Sequence, residues 1–184
     1  MRPPPDPRTP AASAPLRRHR AATHPASRAL HLADPGATAR LGTALAPCLG
    51  PGDSVLLAGP LGAGKSALAR AVIAARIGDP DAEVPSPSYT LVNVYATPRG
   101  PVWHADLYRL AGAADELEEL GLAEAMAGGA ALVLVEWPER LGAALPDRRL
   151  ELALSAPAGG GRDAVVTLHG PGWQRLAALL EGWR

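Results

Sequence analysis

Between two apolar segments the chain carries Gly59-Pro60-Leu61-Gly62-Ala63-Gly64-Lys65-Ser66, and no other stretch limits its possible folds as tightly. The spacing G-x-x-x-x-G-K-[ST] needs a backbone that curls until successive N–H groups converge, which glycine permits and a side chain opposes. It also needs a strand before it and a helix after it. Ser54–Ala58 (SVLLA) is a continuous apolar run bounded by turn residues, as in a strand buried on both faces. Ala67–Arg76 (ALARAVIAAR) consists mostly of good helix formers. A strand, a glycine loop and a helix in this order bind phosphate, because the loop amides and the positive end of the helix dipole point at one place. The residues in reach of a nucleotide are then Leu61, Gly62, Ala63, Gly64, Lys65, Ser66 and Ala67. Lys65 is expected as a solvent-facing charge reaching the β- and γ-phosphates, with the Ser66 hydroxyl on Mg²⁺.

Charge composition sharpens this. The chain has 18 basic residues, of which Lys65 is the single lysine. An ammonium on a flexible stem differs chemically from a planar guanidinium, and this chain places its one ammonium in the phosphate loop. An N-K-x-D element for guanine is therefore impossible, and ATP is expected over GTP.

The rest of the chain reads as one domain behind a tail. Residues 1–28 contain six arginines, one acid (Asp6) and seven prolines, with too few large apolar residues to form a core. They are expected to be a disordered basic tail, with the domain occupying 29–184. A strand is predicted at Arg28–Ala33. A helix follows, capped by Asp34 with Pro35 in its first turn, and runs to about Leu49. Tyr89–Tyr95 and Val102–Tyr108 should form a hairpin, Asp115–Met126 a helix, and Ala131–Val135 (ALVLV) a second wholly apolar strand. Arg149–Leu154 should pair with Ala164–Leu168 across Gly159–Gly161, and Trp173–Trp183 should close the chain as a helix. This mixture predicts a three-layer α/β P-loop domain with a mixed, partly parallel sheet. Its one cysteine, Cys48, fits a reducing cytoplasm and is expected as a buried thiol. No run of about 20 apolar residues provides a membrane span.

A phosphate loop needs an acid to organise the metal, usually at the end of a neighbouring buried strand. Glu136 follows Leu132–Val135 and is one candidate for Mg²⁺ or for the attacking water; the alternative is a surface acid capping the helix after Pro138. Asp106 is the second. Alternation along a strand puts His104 and Asp106 on one face and Trp103, Ala105 and Leu107 on the other. The bland alternative there is a structural His–Asp hydrogen bond.

Four blocks now stand in order: GPLGAGKS (59–66), SPSYTLVNVY (86–95), HADLYRL (104–110) with DELEELGL (115–122), and LVEWPERL (134–141). Together they resemble the TsaE (YjeE) family, the ATPase subunit of the bacterial machinery making threonylcarbamoyladenosine in tRNA. The resemblance runs from about Arg28 to the C-terminus. It implies catalytic roles for Lys65, Glu136 and Asp106, and a metal set of Ser66, Glu136 and Asp106. It also implies a switch-like loop at Ser86–Thr90, Trp137 beside the site, and Thr38 and Arg162 near base and ribose. TsaB and TsaD are the implied partners, tRNA is met only indirectly, and no membrane is involved. Family members commonly have an acid where this chain has Pro60, and threonine where it has Ser66 and Ser88.

Two other functions use the same loop. A small-molecule kinase would need an arginine-bearing lid, and only Arg99 and Arg109 lie centrally between the two motifs, with no lid-sized insertion. A nucleotide-gated binding module would need no turnover. The acids Asp115, Glu116, Glu118 and Glu119 are either a solvated helix face or a partner surface. His19, His24, His31 and His169 lack the spacing of zinc ligands.

Overall fold

The computed structural model describes residues 26–110 and 114–183. Most of the expected tail lies outside them. Ala26, Ser27 and Arg28 instead begin the first strand, β1 (Ala26–Leu32).

The elements follow the apolar pattern. After β1 come α1 (Pro35–Leu45), β2 (Ser54–Ala58), α2 (Lys65–Ile77), β3 (Val92–Tyr95) and β4 (Val102–Asp106). Then α3 (Ala114–Glu119), α4 (Leu122–Ala127), β5 (Leu132–Glu136), β6 (Arg149–Ser155), β7 (Arg162–His169) and α5 (Gln174–Gly182) complete the chain. Asp34 caps α1 as predicted, its carboxylate accepting from the Ala37 amide at 2.6 Å. The helix ends at Leu45 rather than Leu49, and a short 3-10 helix, Ala46–Cys48, takes over where Pro47 has no N–H to give. Cys48 is only half-buried there, against the expected full burial; its Sγ lies 3.9 Å from the Arg175 carbonyl oxygen. The predicted helix at 115–126 is two, α3 and α4, because Gly121 adopts φ 66° between them. β3 starts three residues late, because Leu91 sits at φ 63° and breaks the extended run.

The seven strands form one sheet in the order β1-β7-β6-β2-β5-β4-β3. β6, β2, β5 and β4 are parallel, and β1, β7 and β3 add antiparallel edges. The domain is therefore a P-loop NTPase-like α/β fold with a mixed, partly parallel sheet. One sheet face packs Val55, Leu57, Leu132, Leu134, Leu150 and Leu152 against α1, α2 and α5. The other packs Leu56, Ala105, Val133 and Val135 against α3, α4 and Leu141. That second cover stops short of β7, the strand next to the β1 edge, where Val165 is 42% exposed. Central strands buried on both faces explain why SVLLA and ALVLV are unbroken apolar runs. Among the described residues, no helix is long and apolar enough to cross a membrane.

Candidate functional site: a phosphate-loop cleft

Three adjacent strand ends build the site. β2, β5 and β4 lie side by side and parallel, so Gly59 follows the end of one, and Glu136 and Asp106 end the other two. Register places Glu136 opposite Leu57 on one side and Asp106 on the other. Ligands of open α/β sheets bind at such carboxyl ends.

The loop itself is tightly determined. Gly59 (φ 135°) runs so close to β6 that a Cβ there would overlap the Leu154 carbonyl oxygen. Gly64 (φ 104°) opens α2 in a left-handed conformation, turning the chain from loop to helix. Arg162, at the start of β7, donates from Nη2 to the Gly62 carbonyl at 3.0 Å and from Nη1 to the Gly161 carbonyl at 2.6 Å. It therefore fixes the loop from outside.

Lys65 corrects one expectation: it is 5% exposed, not solvent-facing. Its Nζ donates to the carbonyls of Gly59 (2.7 Å) and Pro60 (2.9 Å) and lies 3.9 Å from the ring centre of Trp137. Burial pushes its pKa below the usual lysine value, against the pull of Glu136, Asp106 and Glu139. The ammonium is thus held in its own loop, among groups that compensate its charge only in part.

Glu136, 2% exposed, receives two hydrogen bonds. The Ser66 hydroxyl donates to Oε2 at 2.9 Å, and His104 Nε2 donates to Oε1 at 2.9 Å. The acid is therefore inside the site and not a surface cap on the helix after Pro138. Asp106, 6% exposed, accepts from the Ser88 hydroxyl at 2.8 Å and from the Tyr108 amide at 3.1 Å. His104 and Asp106 do share a face, but the histidine turns to the neighbouring strand. Trp137 adopts φ 61° and packs against Tyr108, with ring centres 4.8 Å apart and the planes tilted by 43°.

These groups surround one cleft of about 300 Å³, lined by Leu61, Gly62, Gly64, Lys65, Ser66, Ala67, Arg70, Ser88, Asp106, Tyr108, Glu136 and Trp137. A smaller adjoining hollow of about 200 Å³ runs from Gly64 and Ala67 past Asp34 and Pro35 to Arg162. Ala63, 1% exposed, faces the core and not the cleft. Thr38 is buried at 3% exposure on α1 and lines neither cavity. Three members were not foreseen: Arg70, Tyr108 and the His104–Glu136 contact. Arg70 was readable, since it stands one helical turn beyond Ser66 on the same face.

A larger hollow of about 410 Å³ lies between α3, α4 and the turn at Leu141–Ala144, away from these groups. Its walls are mainly apolar, with Glu118 and Glu124 as the polar members. The lysine, the two carboxylates and the two serine hydroxyls gather instead in the smaller cleft.

A family model described as "Threonylcarbamoyl adenosine biosynthesis protein TsaE" matches residues 32–164. A tRNA threonylcarbamoyladenosine biosynthesis protein TsaE of Rickettsia bellii is 38% identical over 117 residues, covering 64% of this chain and 78% of that protein. The protein of the same description from Streptomyces coelicolor is 37% identical over 136 residues, 72% of this chain and 89% of its own. A crystal structure of Bacillus subtilis YdiB superposes with a TM-score of 0.71 at 24% identity. It covers 86% of this chain and 97% of YdiB, a likeness of fold.

Proposed function

The chain belongs to the TsaE family of threonylcarbamoyl adenosine biosynthesis proteins, and we propose that it binds Mg·ATP in the phosphate-loop cleft and hydrolyses it slowly for the assembly that modifies tRNA. One observation carries this reading: Lys65 and Ser66, Glu136, and Asp106 converge on a single cleft from three separate parts of the chain.

The donor set fits the metal. A serine hydroxyl 2.9 Å from a carboxylate, with a second carboxylate lining the same cleft, is a group of hard oxygen donors such as Mg²⁺ takes. Ser66, Glu136 and Asp106 would hold the ion, which when bound neutralises charge on the β- and γ-phosphate oxygens. The loop amides cradle the phosphates. Lys65 exchanges two backbone carbonyls for phosphate oxygens, a trade its lowered pKa favours. Glu136 and Asp106 orient the water that attacks the γ-phosphorus and can accept its proton. Tyr108 and Trp137 wall the cleft and exclude bulk water.

Asp106 also holds the loop after α2. Ser86 and Ser88 hydroxyls lie 2.9 Å apart, and Ser88 donates to Asp106. A γ-phosphate competes for these hydroxyls and ADP does not, so ATP and ADP favour different loop conformations. TsaB and TsaD are the proposed partners that sense the difference, and tRNA is reached through them.

Phosphate release is the test. Glu136→Gln keeps size and removes charge, so hydrolysis in the presence of TsaB and TsaD should fall about 10²-fold while ATP still binds. Partner affinity should differ between ADP and a non-hydrolysable ATP analogue by about 1–3 kcal/mol. Normal hydrolysis by Glu136→Gln removes the catalytic assignment; partner affinities equal within about twofold remove the switch.

A further inference from the structure

His104 is fully buried, with 0% of its surface exposed, in the middle of β4. Strand alternation turns it to the same sheet face as Asp106, one pleat deeper. Its direct register partner on β5 is Leu134, and Glu136 lies two residues further along that strand. The ring reaches up this diagonal, and Nε2 donates to Glu136 Oε1 at 2.9 Å. Among the described residues, Nδ1 is buried without any hydrogen-bond partner. An imidazole with only one nitrogen employed, in a place that would otherwise suit an apolar side chain, needs a reason. Burying such a group costs free energy unless its hydrogen bonds are made.

The reason lies at Glu136. A glutamate carboxylate turns freely about its last torsion, which has broad wells. Here both oxygens are committed, Oε1 to His104 and Oε2 to Ser66. The two anchors are not equivalent. Ser66 stands in the cleft and is the hydroxyl expected to leave Glu136 when a nucleotide brings its metal, whereas His104 lies beneath it, out of reach of any ligand. Once Ser66 departs, His104 alone holds the carboxylate plane and keeps Oε2 turned into the cleft. Partners that orient a metal-binding carboxylate typically change metal affinity 10–100-fold when removed.

We infer that His104 is a positioning residue, whose Nε2–H fixes Glu136 so that Oε2 faces the metal and water side of the nucleotide cleft. This rests on the Mg·ATP reading above. The idle Nδ1 makes the inference specific: only a donor at the Nε2 place is required. Glutamine puts an amide N–H near that place; asparagine, one carbon shorter, puts it near Nδ1.

The experiment uses the full chain and a non-hydrolysable ATP analogue, with affinity measured by calorimetry in EDTA and in excess Mg²⁺. The ratio of the two is the magnesium-linked gain. His104→Leu and His104→Asn should each lose about tenfold or more of that gain, with affinity in EDTA within about threefold of wild type. His104→Gln should keep the gain within about threefold. In a Glu136→Gln background, His104→Leu should change the gain by less than about twofold, because the group it orients has been altered. Thermal unfolding identifies variants that fail to fold; should His104→Leu be one, the Gln and Asn pair carries the comparison. A full gain in His104→Asn, a loss in His104→Gln equal to that in His104→Asn, or an undiminished effect of His104→Leu without Glu136 overturns the inference alone. A wild-type protein with no nucleotide affinity overturns it together with the proposed function.

Discussion

Gly59 should be the most demanding glycine of the phosphate loop, and Gly59→Ala tests how the loop is anchored to the sheet. Its φ of 135° lies in a region that residues with a Cβ avoid, at about 1–3 kcal/mol. A Cβ would also overlap the Leu154 carbonyl oxygen on β6, and would sit 3.1 Å from the carbonyl carbon and 3.3 Å from the Ala63 Cβ. The first two obstacles are backbone, which cannot swing aside, so β6 must move away from β2 near the Ala58–Ala153 pair. Such crowding costs about 1–3 kcal/mol. Together these give about 2–6 kcal/mol, a fall in melting temperature of about 5–20 °C for a domain of this size. Gly62→Ala is the control. Its φ of 77° is also positive, but a Cβ there meets nothing within 4 Å, so only the backbone strain of about 1–2 kcal/mol remains. Thermal unfolding of the nucleotide-free proteins measures both. If Gly59→Ala melts within about 2 °C of wild type, or no lower than Gly62→Ala, close approach to β6 is not what requires glycine at the loop's entry.

Lys65→Ala should lower ATP affinity at least about 100-fold by calorimetry, the loss of a charge-assisted contact to phosphate, while the circular dichroism spectrum stays native. Asp34→Ala removes the 2.6 Å cap of α1 and should cost about 1 kcal/mol, read as a melting temperature about 2–4 °C lower. Glu151 provides a pH test. Burial opposes its charged form, but the hydrogen bond from Arg149 and the His169 ring nitrogen 3.0 Å away outweigh that and hold its pKa below the usual 4.5. Its contribution is present above the unfolded value and is lost as pH falls through the lower folded value. Arg149→Gln should therefore weaken the dependence of stability on pH in the acid range below 4.5, measured by urea unfolding at stepped pH.

Much of the phosphate-loop cleft was legible in the chain because its requirements are local. A loop of eight residues with fixed glycine positions, a buried strand before it and a helix after it are all set by short-range sterics, and the lone lysine marks the charge. Asp34 announced the start of α1 for the same reason, since a side chain bonding three residues ahead needs no tertiary partner. The uninterrupted apolar runs of β2 and β5 told of two-sided burial. Single residues already qualified this. Gly121 at φ 66° divides a helix whose residues on either side favour helix, because packing on the sheet decides whether a glycine is used as a stop.

What no local pattern contained was the strand order. β5 lies between β2 and β4 although 73 residues separate the end of β2 from its start, and this insertion is what sets Glu136 beside both the phosphate loop and Asp106. It also chose the partner of His104. Residues i and i+2 of a strand share a face but are spaced about 6.6 Å apart by the strand's rise. Glu136 is the diagonal neighbour, two residues past the register partner Leu134 and about 7–8 Å away, so spacing alone does not favour it over Asp106. The long glutamate spans that diagonal, while the short Asp106 carboxylate is taken by Ser88 and the Tyr108 amide. Alternation could put His104 and Asp106 on one face; only the packed sheet could turn the histidine to Glu136.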